Sequence, residues 1–221
     1  VVDDVLVIEE KGIYSVEKFL MSRRLMYWQA YLHKTSLVAE LMLTKVLKRA
    51  KELSQKGNSL ESSKPLQFFL NHKIEKEDFT NEVLEKFSQL DDFDIISALK
   101  SWQMHDDFVL SVLSKMIINR DLLKIKVSND KFDKAILSGF KEQLLSDYPI
   151  SLSETDYFVF KGKIKTLGYN KESQPIKIVK KDKTVEDVVI SSDQLNSRAF
   201  SKPVTKFYIC FPKVLEEINK F

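Results

Sequence analysis

The segment SRRLMYWQAYLHK, residues 22–34, decides how the first part of this chain folds. Four residues fall within an arc of about 80° when the segment is drawn as an α-helix: Arg23, Tyr27, Tyr31 and Lys34. An apolar set falls on the opposite side: Leu25, Trp28, Leu32, Ala39, Leu43 and Val46. The pattern predicts one face that packs against a core. The other face offers two cations and two phenol rings to an anionic ligand with a flat ring, such as a phosphorylated nucleoside.

The surrounding pattern predicts a single long helix from Ile13 to about Leu53, which ends in the loop-forming cluster SQKGNSLESSKP, residues 54–65. Cations near its end, including Arg49, are favoured there by the helix dipole. For Arg23 the residues leave two roles open. A bidentate contact with phosphate is worth about 1.5–3 kcal/mol. A pair of Arg23 or Arg24 with Glu17 or another neighbour on the helix contributes only about 0.3–0.5 kcal/mol.

Residues 12–50, GIYSVEKFLMSRRLMYWQAYLHKTSLVAELMLTKVLKRA, resemble the long helix of the HD-domain phosphohydrolases. The resemblance is to the branch of the SAM-and-HD-domain deoxynucleoside triphosphate triphosphohydrolases. Five residues match the spacing of that family: Tyr14, Arg23, Tyr31, His33 and Lys34. The resemblance implies that Arg23, with Lys34, contacts substrate phosphate. It also implies that Tyr31, with Tyr27, shapes the pocket for the sugar.

The chemistry of that family depends on a metal ion held by an H…HD…D constellation upstream of the long helix. This chain has three histidines, and its dipeptide His105-Asp106 follows the helix without a second His-rich motif. We interpret that dipeptide as a coincidence. Because the chain begins with Val1 rather than Met, we expect it to be the C-terminal part of a larger enzyme. The parent would bind a divalent metal, whereas this chain would bind none and would be inactive alone.

Residues 65–120 predict a series of shorter amphipathic helices. Acidic residues or threonine precede the apolar run of each helix, at Asp78 or Thr80, at Asp91 or Asp92, and at Asp106 or Asp107. N-caps require such residues, so we interpret the acidic pairs as structural rather than catalytic. Trp102 and Met104 are predicted to lie in the core.

From Leu122 onward the pattern predicts a small lobe with one helix, at 130–147, and several strands, near 123–127, 156–167, 175–180, 185–190 and 204–211. The predicted fold class is therefore α+β. A mostly helical part, residues 1–121, is followed by a small mixed lobe with an antiparallel sheet, residues 122–221.

Two groups of cations allow two interpretations each. The segment NRDLLKIKV, residues 119–127, resembles the family segment in which an Arg and a later Lys contact a regulatory nucleotide, which here would be Arg120 and Lys124. Both could equally be exposed cations beside a strand. Lys161, Lys163 and Lys165 alternate along one strand, as on a solvated face or on a surface that attracts nucleic acid.

Composition sets the remaining limits. The 221 residues are 43% hydrophobic, enough for a substantial core, and the net charge of +3 does not by itself indicate nucleic-acid binding. The single Cys210 excludes an intrachain disulfide, and we expect a cytoplasmic protein with no membrane partner. The sequence predicts a homo-oligomeric phosphohydrolase with a nucleotide substrate. The alternative is a non-catalytic module that binds a protein or nucleic-acid partner.

Overall fold

The chain divides into two compact units, each built from three segments. The computed structural model describes residues 1–2, 4–166, 169–170, 172–173, 175–193 and 203–218. The first unit comprises Val1–Ser36, Val127–Phe132 and Gly162–Tyr208; the second comprises Leu37–Lys126, Asp133–Lys161 and Ile209–Phe221. These ranges differ from the predicted division after residue 121. The difference arises because strand pairing joins segments that are far apart in the chain.

The elements confirm the predicted α+β class. The described helices are α1 (Ile13–Met26), α2 (Lys34–Gln55), α3 (Lys64–Asn71), α4 (Asn81–Ser88), α5 (Asp92–Trp102), α6 (Phe108–Ile118), α7 (Lys134–Asp147), α8 (Val188–Ser191) and α9 (Val214–Ile218). The described strands are β1 (Val7–Glu9), β2 (Lys124–Ser128), β3 (Phe160–Thr166), β4 (Lys177–Val179), β5 (Val185–Asp187) and β6 (Val204–Phe211). The strand predicted at 204–211 is observed with those bounds.

Two three-stranded sheets are present in the described residues, in the orders β1-β4-β5 and β2-β6-β3. The first sheet is mixed, because β1 runs parallel to β4 while β5 runs antiparallel to it. The strand predicted at 185–190 is shorter than expected because the Asp187 side chain accepts a hydrogen bond from the Val189 N–H at 2.9 Å and starts α8. The predicted end of another strand, Leu167, lies outside the described residues.

The predicted long helix is interrupted, so that prediction is wrong in this respect. α1 ends at Met26, Tyr27–Tyr31 form a π-helical turn, and α2 begins at Lys34. The Leu32 N–H donates to the Tyr27 carbonyl oxygen at 2.8 Å, one residue further back than in an α-helix. Alternation of polar and apolar residues does not reveal such a change in the hydrogen-bond ladder.

The interruption also changes which residues are buried. Beyond it, α2 buries a row that includes Val38, Met42, Val46 and Ala50. The prediction placed Ala39 and Leu43 on that face, but they are only half-buried. Before the interruption, Leu25 is 56% exposed rather than packed in a core. A constant 100° per residue assigns faces wrongly once the helix includes a wider turn.

The core of the first unit holds α1 against its sheet. Ile13, Val16 and Leu20 recur at helical spacing and are buried in one cluster with Ile178 of β4 and Val188 of α8. Residues 21–36 contain no buried side chain. The helix is therefore anchored at its start, whereas residues 22–34 bury no side chain.

The second unit confirms the predicted caps. Thr80, Asp91 and Asp107 each accept a backbone N–H at the start of α4, α5 and α6. Trp102 is buried and its Nε1 donates to the Glu61 carbonyl oxygen at 2.9 Å, as expected of a core residue. The same prediction for Met104 is wrong, because this residue lies in the turn after α5 and is 83% exposed.

The chain contains no described helix with both the length and the apolar character needed to cross a membrane.

Candidate functional site

Three of the predicted ligand-binding residues form a continuous row at the π-helical turn. The Arg23 guanidinium carbon lies 5.8 Å from the centre of the Tyr27 ring, and the Tyr27 and Tyr31 ring centres are 5.1 Å apart with an interplanar angle of 47°. The four-residue spacing brings these side chains onto one side, as the sequence predicts. The row thus presents one guanidinium and two aromatic rings together.

The row is open to solvent. Arg23 is exposed, and Tyr31 keeps 60% of its surface accessible. Within the described residues Arg23 has no ion pair, and the Glu17 side chain is buried, where its carboxylate accepts a hydrogen bond from the Ser192 hydroxyl. The alternative in which Glu17 neutralises Arg23 is therefore not observed. The guanidinium keeps its donors available for an anion.

His33 and Lys34 lie beyond the end of the row. The Thr35 N–H donates to His33 Nδ1 at 3.3 Å, so the imidazole stabilises the start of α2. Lys34 is the first residue of α2 and is exposed. Because the backbone leaves the helix at Leu32, Lys34 does not continue the spacing of Arg23 and Tyr27 as predicted. No role was assigned to His33 from the sequence pattern, and the structure shows that it caps the start of α2.

A second aromatic contact beside the row was not predicted. The Lys206 ammonium of β6 lies 4.4 Å from the centre of the Trp28 ring, which the sequence pattern had placed on the core side. Such a cation–π pair is worth about 0.5–1 kcal/mol at an exposed site. No local signal could have revealed it, because the two residues come from distant parts of the chain. The contact gives this end of the first unit another positive charge.

The proposed regulatory residues lie in the second unit, after α6. Arg120 has a φ of 58°, in the left-handed region, and its N–H donates to the Ile117 carbonyl oxygen at 3.1 Å. The Asp121 N–H also donates back to the Met116 carbonyl oxygen, so Arg120 occupies the position of a Schellman cap that glycine usually takes. The conformation of Arg120 is thus fixed by the helix end.

Lys124, the second of these residues, is already paired. Its ammonium lies 3.1 Å from the Glu216 carboxylate, which also binds Lys126 at 3.2 Å. This sharing lowers the pKa of Glu216 through hydrogen bonds from Lys124 and then Lys126. An anionic ligand at Lys124 would have to compete with that carboxylate.

The described part of the chain contains no group of three His, Cys, Asp or Glu side chains placed to hold a metal ion. In the dipeptide His105-Asp106, His105 Nδ1 accepts the Asp107 N–H at 2.9 Å. Asp107 in turn caps α6. The row of Arg23, Tyr27 and Tyr31, called the Arg–Tyr row below, thus offers a guanidinium and two aromatic rings to a ligand.

Comparisons with known proteins agree with the family that the sequence resembles. Residues 1–64 match the model of the HD associated region. A crystal structure of a phosphohydrolase from Bacteroides thetaiotaomicron is 45% identical, with a TM-score of 0.86 over 96% of this chain and 53% of that one. The Bacillus subtilis protein YwfO, which is uncharacterized, is 37% identical over 122 residues, which is 55% of this chain and 27% of YwfO.

A hypothetical protein from Aquifex aeolicus shares the fold at 21% identity, with a TM-score of 0.59 over 98% of this chain and 46% of that one. This chain therefore spans about half the length of the phosphohydrolase and about a quarter of YwfO. This chain is therefore similar to the HD associated region over residues 1–64 and to the Bacteroides phosphohydrolase over most of its own length.

Proposed function

We propose that this chain is the C-terminal part of a metal-dependent HD-domain phosphohydrolase that hydrolyses (deoxy)nucleoside triphosphates. In this proposal Arg23 and Lys34 bind substrate phosphate, while Tyr27 and Tyr31 contact the sugar and base. The observation that carries it is the exposed row in which Arg23, which forms no ion pair with any described residue, adjoins two tyrosine rings. A nucleotide combines the same two features, an anion and a flat ring.

The local backbone supports this proposal. π-helical turns are rare and are frequently found at functional sites. This one lies within residues 21–36, none of which is buried. We propose that the rest of a longer protein covers part of this segment and completes the pocket. This chain covers 53% of the Bacteroides phosphohydrolase, which leaves room for such a part.

The contribution of this chain to hydrolysis would be electrostatic. Breaking a phosphoester requires neutralisation of phosphate charge and activation of a water molecule. Arg23 suits the first task, because a guanidinium matches two phosphate oxygens at once. The metal of the parent protein would activate the water molecule, and we assign that metal no ligand in this chain. The isolated chain should therefore not hydrolyse nucleotides.

The test is hydrolysis of a panel of deoxynucleoside and ribonucleoside triphosphates by the full-length protein with added divalent metal. Arg23→Ala should lower kcat/KM by about 10- to 100-fold, the equivalent of one lost charge-assisted contact. Tyr31→Phe, which keeps the ring, should retain more activity than Tyr31→Ala. Lys18→Ala is the matched control, because Lys18 is an exposed cation of the same helix roughly 140° away from Arg23.

Equal losses in Arg23→Ala and Lys18→Ala would contradict a specific role for Arg23. A second contrary result is that the wild-type protein hydrolyses none of the nucleotides, whether or not other nucleotides are added as activators. That result would exclude the proposal that it is a nucleoside triphosphate triphosphohydrolase. In that case other phosphoesters or the non-catalytic interaction module would be the better explanation. Hydrolysis by the isolated chain that chelators leave unchanged would contradict the assignment of the metal to the parent.

We also propose that Arg120 and Lys124 bind a regulatory nucleotide that promotes assembly of a homo-oligomer. The support is the resemblance of residues 119–127, together with the fixed, exposed position of Arg120. Nucleotide-dependent assembly, measured by analytical ultracentrifugation, should be lost in Arg120→Ala and retained in Arg23→Ala. The reverse result would place the regulatory nucleotide at the Arg–Tyr row.

A further inference from the structure

An exposed apolar surface on α4 is separate from both proposed nucleotide sites. Leu84 and Phe87 are one helical turn apart and keep 51% and 58% of their surface exposed. Val83 alone in this helix is buried. Monomeric proteins seldom expose neighbouring large apolar side chains without a function. This side of α4 therefore lacks a covering element among the described residues.

Ring contacts connect the exposed side of α4, which carries Leu84 and Phe87, to α3. The Phe87 ring packs edge-on against Phe69, with centres 6.2 Å apart. Phe69 packs in the same way on Phe68 at 5.3 Å, and Phe68 lies 4.6 Å from the His72 ring. All four side chains are half-buried or exposed. The surface is thus a row of rings supported by two helices rather than one protruding side chain.

Carboxylates border this row. Residues 75–94 contain eight Asp and Glu and two Lys, in a chain whose net charge is +3. On α4 itself, Glu82 and Glu85 are exposed, and neither side chain has a hydrogen bond or ion pair within the described residues. At about 100° per residue, Leu84 falls between Phe87 and Glu85 on the helix surface. A partner that covers Leu84 would therefore meet rings on one side and carboxylates on the other.

This charge pattern decides between possible occupants. Nucleic acid and anionic lipid are disfavoured, because their phosphates would face Glu82 and Glu85. A second copy bound by two-fold symmetry would bring the same surface against itself, so carboxylates would oppose carboxylates. A basic amphipathic segment instead matches both halves of the surface, since its apolar side chains cover Leu84 and Phe87 while its cations pair with the glutamates.

We propose that the α4 surface, formed by Leu84, Phe87, Glu82, Glu85 and the adjoining Phe69, docks a basic amphipathic segment of a partner protein. Opposite charges at the border would speed encounter and fix the orientation of the segment. Binding should weaken as salt rises, because these exposed charges are screened.

The test uses the full chain and a fluorescent peptide with leucine and lysine at amphipathic helical spacing. A second peptide of the same pattern carries glutamate in place of lysine. The lysine peptide should bind and the glutamate peptide should not. The double variant Glu82→Lys/Glu85→Lys should weaken binding of the lysine peptide by at least about tenfold. Leu84→Ser, an exposed position that should leave the fold intact, should weaken it as well.

Glu142→Lys is the matched control, because Glu142 is an exposed carboxylate on α7 of the same unit. Equal weakening in Glu142→Lys and the α4 double variant would show general charge attraction and overturn the proposal. Equal binding of both peptides would do the same. Self-association of the wild-type chain that Leu84→Ser abolishes, seen by sedimentation, would assign the surface to a second copy instead.

Discussion

Arg23 and Arg49 show two opposite ways in which this chain uses an arginine. In the second unit, Arg49 is buried and binds Asp107 through Nε at 3.0 Å and Nη2 at 2.5 Å. The same Nη2 donates to Glu154 at 2.5 Å. In the first unit, Arg23 contacts only the Tyr27 ring within the described residues and remains exposed. The Arg49 guanidinium is bound by carboxylates of its own unit, whereas the Arg23 guanidinium is open to solvent.

The difference distinguishes a charge that is held by carboxylates within the fold from a charge that is exposed. Hydrogen bonds to Asp107 are the largest cause that raises the pKa of Arg49, so its charge is held in place by its partners. An arginine of this kind stabilises a fold and has few donors left for a substrate. Arg23 contributes little to the fold and can form charge-assisted contacts with a ligand. Three of the four predictions below test whether the two arginines differ in this way, and the fourth compares one glycine from each unit.

The largest expected effect is the loss of the Arg49 network. Arg49→Met should lower the free energy of unfolding by about 3–5 kcal/mol, because it leaves Asp107 and Glu154 without their buried cation. Urea denaturation of the full chain measures this change. Lys48→Met, at an exposed neighbour, should change stability by less than about 0.5 kcal/mol. Similar effects of the two substitutions would show that the network is not important for stability.

The same network should make the chain sensitive to acid. Burial raises the pKa of Asp107, but hydrogen bonds from Arg49 and the Leu110 N–H, with the Arg49 charge, outweigh it and lower the pKa overall. The Ser151 N–H is the largest cause that lowers the pKa of Glu154. Both carboxylates thus bind protons less readily in the folded chain than in the unfolded one. Their contribution is complete above the unfolded pKa values, about 4, and is lost as pH falls through the folded values.

Stability measured between neutral pH and about pH 3 should therefore fall in the wild type and fall less in Arg49→Met, which has already lost part of this contribution. Parallel pH profiles for the two proteins would contradict the role of Arg49.

A smaller effect is expected at two glycines, one in each unit. A Cβ at Gly162 would collide with the Tyr208 ring, so Gly162→Ala should lower stability by about 1–3 kcal/mol. Gly139 lies within α7 with nothing near the position of a Cβ, so Gly139→Ala should raise stability by about 0.5–1 kcal/mol. Thermal unfolding of both variants measures these changes. Unchanged or raised stability in Gly162→Ala would contradict the packing of Tyr208 against this glycine, and lowered stability in Gly139→Ala would contradict the open space beside α7.

The smallest effect on stability is expected where the largest effect on activity is proposed. Arg23→Ala should change the free energy of unfolding by less than about 0.5 kcal/mol, as is usual for exposed positions. Denaturation in urea checks this. A loss comparable with that of Arg49→Met would make Arg23 a structural residue, and any decrease in activity would then reflect unfolding.

Local patterns were sufficient to predict much of the fold. Alternating residues between Pro203 and Pro212 gave the bounds of β6. The caps of α5 and α6 were narrowed to the pairs Asp91-Asp92 and Asp106-Asp107, of which the structure selects Asp91 and Asp107, because a cap acts on residues two or three positions away. The Arg23, Tyr27 and Tyr31 row followed from helical spacing in the same way. A cap or a helix face depends on residues within one helical turn, so it can be predicted from a single short segment of sequence.

Contacts between distant segments could not be predicted. Arg49 was explained by the helix dipole, yet its partners lie 58 and 105 positions away in the chain. The contact of Lys206 with Trp28 was missed for the same reason. The π-helical turn was missed for a different reason. A change of hydrogen-bond partner in the backbone leaves the order of polar and apolar residues in the sequence unaltered.

Because Cys210 is buried in β6, the reactivity of its thiol can report how often this strand opens. Cys210 is the single cysteine, it is fully buried, and burial raises the pKa of its thiol to about 12. Only the thiolate reacts readily with alkylating reagents, so the folded chain should be almost inert to them. Alkylation therefore waits for β6 to become accessible, and its rate measures how often this strand opens. No engineered label is needed to follow the second unit in solution.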